Sequence, residues 1–271
     1  MNRFVAALPY LSVLALIVLP VAVSAQDASG SNGGLLGDKT QFTLGIAESV
    51  APRYAGSDDY RVQTLPVIAI QRGIFFLDTT RGLGAEYLTH SGFYISTSIN
   101  YDFGRVQRDS ELLPGSKKLA GMGNVPGSVT SRTMIGQQIT PYLMASAEAE
   151  FTLKDGTHRS RYRAGLEYTP WKTDKDVVAI DLNTHWGNRG YNQAYFGVTE
   201  LQSMRSGFAP YSATGGLYAY SLSASWNHTW TPHWSTSLIA SAMRYTDKVE
   251  HSPIVQSRFA AITTLALTYS F

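Results

Sequence analysis

Five charged residues on one polar face are the clearest candidates for a site in this 271-residue chain: Glu148, Glu150, Arg159, Arg161 and Arg163. The dipeptide Asp155-Gly156 between them is a two-residue hairpin signal, and it fixes the register by pairing Lys154 with Thr157. That register places Thr152 opposite Arg159, Glu150 opposite Arg161, and Glu148 opposite Arg163. Such a charge ladder could select ions, or it could fill an interior and hold the strands in register. We interpret it first as structural.

Catalytic candidates are sparse. A hydrolase needs a hydroxyl or a water molecule next to a base, because neither nucleophile reacts without one. Asp181, Asn183 and His185 share one face of a predicted strand, and His233 precedes Ser235 by two positions. Serines are so frequent here that such spacings are expected by chance, so no enzyme is predicted. The six histidines lack paired ligand spacing, and no nucleotide fingerprint occurs, so no metal or cofactor is indicated.

The first 25 residues have the pattern of a signal peptide. Arg3 precedes an apolar run that ends at Pro20, and Val23-Ser24-Ala25 is a small-residue cleavage site. We therefore expect residues 1–25 to be removed on export, the alternative being an uncleaved anchor. No later stretch reaches the ~18 to 20 apolar residues of a spanning helix, which excludes a helical inner-membrane protein.

Charge and cysteine content narrow the choice further. The chain has 22 basic and 20 acidic residues, and removal of Arg3 leaves 21 against 20, which gives no reason to expect nucleic acid as a partner. An exported chain with no cysteine has no disulfides, so its stability must come from burial and backbone hydrogen bonds.

Long alternating segments predict a sheet. From Phe93 to Phe103 every second residue is apolar or Thr, and the intervening positions are mostly Ser, Asn and Asp. The same period recurs at 143–153, 218–230 and 259–271, and aromatic residues lie near the segment ends. A soluble β-sandwich also alternates, but its strands average about 5 to 6 residues, whereas these segments suit a tilted membrane crossing. A polar alternate face and terminal girdles of aromatics favour an outer-membrane β-barrel.

We predict an all-β transmembrane antiparallel barrel of about 12 strands, with 10 as the alternative. The barrel occupies residues 41–271 and follows a flexible periplasmic leader at 26–40. The predicted strands are 41–50, 62–71, 73–79, 83–89, 92–103, 139–153, 158–168, 176–187, 191–198, 216–230, 233–245 and 259–271. The final Phe271 resembles the C-terminal signal of proteins handled by the outer-membrane assembly machinery.

Connections between these strands alternate in length. Short ones, expected at the periplasmic face, are 72–73, 89–91, 155–156, 188–190 and 231–232. Long ones, expected outside the cell, are 51–61, 104–138, 169–175, 199–215 and 246–258. The 35-residue segment 104–138 is long for a structureless connection, and it either folds inward as a plug or forms an adhesive outer surface.

Several outer-loop segments resemble the MipA/OmpV family across essentially the whole predicted barrel. They are Arg53-Tyr54-Ala55-Gly56-Ser57-Asp58-Asp59-Tyr60, Tyr195-Phe196-Gly197-Val198-Thr199, Gln202-Ser203, Arg205-Ser206-Gly207, Tyr211, and Ser252-Pro253-Ile254-Val255 before Arg258. The resemblance implies an outer-membrane barrel. The name-giving member is a scaffold for murein synthesis that bridges the lytic transglycosylase MltA and a bifunctional penicillin-binding protein. Other members are described as antigens, adhesins or porin-like proteins.

The resemblance and the residues together leave four hypotheses open. The first is a non-enzymatic scaffold embedded in outer-membrane lipids, whose partner contact is expected in the leader at 26–40. The others are a small-solute channel, an adhesin that binds through its outer loops, and an outer-leaflet hydrolase. A 12-stranded barrel lies between filled and open sizes, so strand number does not decide conduction.

Overall fold

In a pleated sheet successive side chains point to opposite faces, and the strands of this protein follow that pattern. The computed structural model describes residues 35–153, 156 and 158–271. In Phe259–Ser270 exposed and buried residues alternate along almost the whole strand, and the exposed set includes Leu265 and Leu267. Apolar side chains that point away from the interior are stable where the surroundings are hydrocarbon.

The twelve described strands form one closed antiparallel barrel in which neighbours in sequence are neighbours in space, and β1 pairs with β12. The strands are β1 Thr40–Pro52, β2 Tyr60–Arg72, β3 Phe75–Asp78, β4 Gly82–Leu88, β5 Phe93–Asp102, β6 Ser128–Thr140, β7 Leu143–Thr152, β8 Ser160–Lys172, β9 Asp176–Gly187, β10 Gly216–Thr229, β11 Trp234–Tyr245 and β12 Phe259–Ser270. This confirms the predicted fold class and the strand number.

The two ends of the barrel differ. At the end that we call the turn end, strands are joined by the short connections 73–74, 89–92, 141–142, 173–175 and 230–233. At the opposite end, the loop end, lie 53–59, 79–81, 103–127, 153–159, 188–215 and 246–258. The loop end also carries a short 3-10 helix, Lys117–Leu119, and two α-helices, α1 Arg189–Phe196 and α2 Glu200–Ser206.

One predicted strand was wrong, and one strand was missed. Residues 191–198 lie mostly in α1, because Asn188 caps the helix through a bond from the Tyr191 amide and Tyr191 and Tyr195 bury one face. Within the predicted loop 104–138, residues 128–140 form β6. Its outward positions include Ser131, Thr133 and Gln137, so the apolar alternation was weak.

Because one predicted strand was wrong and one was missed, the predicted number of strands was still correct. Three connections, however, were assigned to the wrong end of the barrel. The connection between β7 and β8, predicted as a periplasmic turn at 155–156, is at the loop end. The connection within 169–175, predicted as a long outer loop, is a short turn at the turn end. Residues 188–190 were predicted as a short periplasmic turn, but they begin the long loop-end segment.

Part of the prediction lies outside the described residues. This applies to the expected signal peptide at 1–25, to the leader residues 26–34, and to Lys154, Asp155 and Thr157 of the hairpin turn.

A hairpin shorter than its neighbours interrupts the wall. β3 and β4 have 4 and 7 residues, and β3 ends at Asp78 opposite Ala69, so β2 continues well beyond it towards the loop end. The 103–127 segment covers the gap, since Arg61 donates to the Ser110 carbonyl at 2.8 Å and Gln63 to the Glu111 carbonyl at 2.9 Å. The segment predicted as the loop 104–138 therefore supplies most of β6 to the barrel wall, and its first part covers the gap beside β2.

Cysteine labelling tests the corrected sidedness, because the chain has no native cysteine. His158→Cys, at an exposed position between β7 and β8, should react with a membrane-impermeant maleimide on intact cells. Asp174→Cys, in the exposed 173–175 turn, should react only after the outer membrane is permeabilised. The reverse labelling pattern would contradict this topology.

Candidate functional site

The loop end is covered by a packed structure that we call the cap, formed by residues 53–59, 103–127, 188–215 and 246–258. One cluster in it joins four separate segments through side chains with 0–2% exposure: Tyr54, Leu119, Met122, Val198 and Ile254. A second lies beneath it and includes Tyr191, Tyr195, Phe196, Tyr218 and Tyr245. Burial of large apolar side chains across the mouth is the main force that holds the loops together.

Directed hydrogen bonds fasten the cap to itself and to the wall. The Tyr54 hydroxyl donates to the Ile254 carbonyl at 3.1 Å, and the Tyr195 hydroxyl donates to Asp102 Oδ2 at 2.7 Å. Gln202 in α2 donates to the Met122 carbonyl at 2.8 Å. The cap is therefore a packed part of the fold, and segment 103–127 is one of its four segments.

Two buried arginines support the cap from below. Arg105 is 1% exposed and donates to the Tyr195 carbonyl at 2.8 Å, and Arg159 is 1% exposed and donates to the Pro126 carbonyl at 2.7 Å. Burial lowers the pKa of Arg105 to about 10, because a guanidinium loses its hydration there. Arg159 therefore contacts the cap segment 103–127, two positions beyond the Glu–Arg ladder.

The outer surface of the cap carries a charged cluster. The Lys118 ammonium contacts the carboxylates of Asp58 at 2.7 Å and Asp59 at 3.1 Å. The hydrogen bond from Lys118 holds the pKa of Asp58 below its usual range. Asp58 is exposed and Asp59 and Lys118 are half-buried, so the contribution of these surface contacts to stability is small.

The other members of the charge ladder lie in the lumen below the cap. β7 and β8 pair Glu150 with Arg161 and Glu148 with Arg163. The Arg161–Glu150 contact is 2.8 Å, and the Arg163–Glu148 contact is 3.3 Å. These positions point inward and are mostly buried, which suits a network that fills the interior.

The sequence reasoning missed one member of this network. Arg132, on β6, approaches Glu148 at 2.7 Å, so Glu148 lies between two guanidinium groups. The sequence analysis placed residues 104–138 in a loop. The alternation that puts Arg132 between Thr130 and Met134 on the inward face of β6 was therefore not recognised. Arg163 also donates to Asn183 Oδ1 at 3.0 Å, which extends the network to β9.

The catalytic candidates do not assemble into a triad. His185 Nε2 lies 2.8 Å from the Ser221 hydroxyl, a pair the sequence analysis did not select. Asp181 and Asn183 point inward on the same strand, but Asn183 is bound to Arg163, and no hydrogen bond joins Asp181 to His185 among the described residues. His233 contacts the Ser270 carbonyl, away from Ser235.

Residues 35–153, 156 and 158–271 contain no group of three or more His, Cys, Asp or Glu placed to hold a metal ion. Within the same residues, no helix has the length and apolar character needed to cross a membrane.

Comparison with known proteins places this architecture in a family. Residues 44–271 match the family described as MltA-interacting protein MipA. The chain belongs to this family. The match confirms the resemblance seen in the outer-loop segments, and with the closed twelve-stranded barrel it makes this family member an outer-membrane protein.

Individual relatives are more distant. A protein named MltA-interacting protein from Escherichia coli (strain K12) is 31% identical over 96 residues, and its counterpart from Shigella flexneri gives the same values. The aligned stretch covers 35% of this chain and 38% of each relative, well under two thirds of their length.

Two solved structures show a weak overall likeness. A NanC porin is 7% identical with a TM-score of 0.42, covering 83% of this chain and 98% of that one. An outer membrane channel from Pseudomonas putida F1 is 12% identical with a TM-score of 0.45, covering 89% of this chain and all of the other.

The substitution Glu148→Gln should destabilise the barrel strongly. Removal of one partner from a buried ion network leaves uncompensated charge, and two arginines lose their shared carboxylate here. We expect a loss of about 3 kcal/mol in the free energy of unfolding, measured by urea denaturation of the refolded protein. Asp174→Asn, which makes the same charge change at an exposed turn, is the control and should have almost no effect. Equal effects of the two would contradict a buried network.

The cap should respond to alkaline pH through Tyr54. Burial raises the pKa of Tyr54 from 10.0 to about 12, with Arg105 opposing the shift. The neutral phenol therefore contributes stability that is complete below pH 10 and is lost as pH rises towards 12. Absorbance titration of tyrosinate should show one fewer late-titrating group in Tyr54→Phe. Identical titration curves for the wild type and Tyr54→Phe would contradict the burial of the Tyr54 hydroxyl.

Proposed function

We propose that this MipA family member is a non-enzymatic outer-membrane scaffold that recruits murein-synthesising and murein-remodelling enzymes from the periplasmic side. The relatives' name, MltA-interacting protein, supports a lytic transglycosylase as one partner class. The resemblance adds a bifunctional penicillin-binding protein as a second.

The observation that carries this proposal is the cap. A small-solute channel needs a continuous aqueous path, whereas side chains with 0–2% exposure from four loop segments meet across the mouth of this barrel. Three arginines and two glutamates occupy the lumen beneath it. A filled, capped barrel suits a membrane anchor that presents surfaces to partners, and it argues against the channel alternative.

The turn end offers a surface for such partners. Residues 35–40 of the predicted leader run beside the β2–β3 turn, where the Ile74 amide donates to the Leu35 carbonyl at 3.1 Å and Arg72 donates to the Leu36 carbonyl at 3.3 Å. The side chains of Leu35 and Leu36 are 67% and 64% exposed. Neighbouring exposed leucines at the periplasmic end support a partner contact there.

Pull-down of the tagged full-length protein from cross-linked envelopes tests this proposal. The wild type should enrich a lytic transglycosylase or a murein synthase, and the double substitution Leu35→Ser with Leu36→Ser should reduce the recovery. Leu112→Ser is the matched control, because Leu112 is 72% exposed but lies at the loop end. Absence of any murein enzyme from the wild-type eluate, or an equal loss with the control, would sink the scaffold proposal.

Planar-bilayer recording separates the scaffold from the channel. The refolded wild type should show no discrete conductance, because the cap blocks the lumen. Discrete conductance that changes in Arg161→Ala or Arg163→Ala would instead establish a charge-tuned channel.

A further inference from the structure

A pair of acids on the inward face of the barrel breaks the pattern of the Glu–Arg ladder. Each glutamate of the ladder lies opposite an arginine, but Glu167 on β8 lies directly opposite Asp181 on β9. The outer neighbours in this row are neutral, since Met144 pairs with Glu167 and Ser223 pairs with Asp181. The register therefore places two carboxylates side by side with no base in their row.

The described part of the chain supplies no partner for these carboxylates. No ion pair joins a base to Glu167 or Asp181 among the described residues. Asp181 is 5% exposed, and its Oδ2 atom is buried without a hydrogen bond. A buried acid without a donor is costly unless an ion or water compensates its charge.

The bases of β8 on either side of Glu167 do not neutralise the pair. Arg163 lies four positions away, which is about 13 Å along a strand. Its guanidinium is already bound to Glu148 and Asn183. Lys172 is exposed at the other end of the strand. Like charges directly opposite each other destabilise a sheet, and a cation between them replaces this repulsion with attraction.

The adjacent strand β10 turns further unpartnered polar atoms into the lumen. Ser225 is 3% exposed and is a diagonal neighbour of Asp181, because Ser223 is the residue directly opposite. The Ser225 hydroxyl has no hydrogen bond among the described residues. The same holds for both polar side-chain atoms of Asn227, which continues this face towards the turn end. Three adjacent strands thus direct unsatisfied oxygens into one part of the lumen.

Burial and oxygen chemistry select the class of ligand. Asp181 and Ser225 offer too little exposed surface for an organic molecule, whereas a small ion fits between their side chains. Carboxylate and hydroxyl oxygens are ligands of hard divalent cations, and the two negative charges match one such ion. Two acids are fewer than the three-residue groups absent from the described residues, so neutral oxygens and water must complete the coordination.

The position of the pair determines the side from which an ion arrives. The ladder and the cap lie on its loop-end side, whereas towards the turn end β8 and β9 are joined by the short 173–175 turn. An ion therefore reaches this part of the lumen from the periplasmic end of the barrel.

We propose that Glu167 and Asp181, with Ser225 as a neutral oxygen ligand, form a lumen site for one divalent cation, Ca²⁺ or Mg²⁺.

Titration calorimetry of the refolded protein tests the site, with Ca²⁺ and Mg²⁺ added separately at constant ionic strength in a zwitterionic detergent free of lipopolysaccharide. At least one of the two ions should bind at one ion per chain. Glu167→Gln and Asp181→Asn should each weaken that affinity by about tenfold or more. Asp174→Asn removes an exposed acid from the 173–175 turn and, as the matched control, should bind like the wild type. Failure of both ions to bind saturably, or an equal loss in the control, would overturn the proposal.

Urea denaturation provides a second test, because the cation-free and cation-bound states predict effects of opposite sign. In EDTA, Asp181→Asn should unfold at a higher urea concentration than the wild type, since the substitution removes the repulsion between two acids. Addition of the bound cation should stabilise the wild type and leave Asp181→Asn unchanged. A variant that is less stable than the wild type in EDTA, or that responds to the cation as the wild type does, would refute the assignment.

Discussion

The closure of the sheet between β1 and β12 is the constraint on which the rest of the structure depends. Every backbone amide and carbonyl in hydrocarbon must find a partner within the protein, and an open sheet would leave one row unpaired at each edge. The ladder from Thr43 opposite Ser270 to Val50 opposite Thr263 removes both edges. Because the chain has no cysteine, these backbone hydrogen bonds hold the strands together without disulfides, and the loops and side-chain contacts depend on them.

Closure forces alternate residues into a lumen, and the protein fills that lumen. Residues from β6, β7 and β8 place arginines beside glutamates there, while loops and helix α1 pack aromatic rings over the mouth. Hydrogen bonds from Arg61 and Gln63 draw segment 103–127 over the place where β3 and β4 are too short to complete the wall. The interior therefore acts as a core, although its walls are those of a barrel.

Because the interior is occupied and the loop end is covered, the groups that can contact other proteins lie on the outer surfaces of the barrel. The turn end carries the exposed leucines beside the β2–β3 turn, and the membrane-facing wall carries a carboxylate on β1. The exposed leucines are available for contacts with other proteins.

The sequence by itself determined the barrel, because a period of two with apolar outward residues is a local property of each strand, as in β5, β7 and β12. It also determined the pairing of Glu148 with Arg163, since that register follows from a turn only a few residues away. Helix α1 and strand β6 were decided by tertiary structure. Residues 191–196 are helical where an Asn cap and buried tyrosines meet the barrel mouth, and the polar β6 is a strand because its neighbours need a partner. The cap and the contact of Arg132 with Glu148 were likewise settled only in three dimensions, because they join segments whose separation in sequence carries no periodic signal.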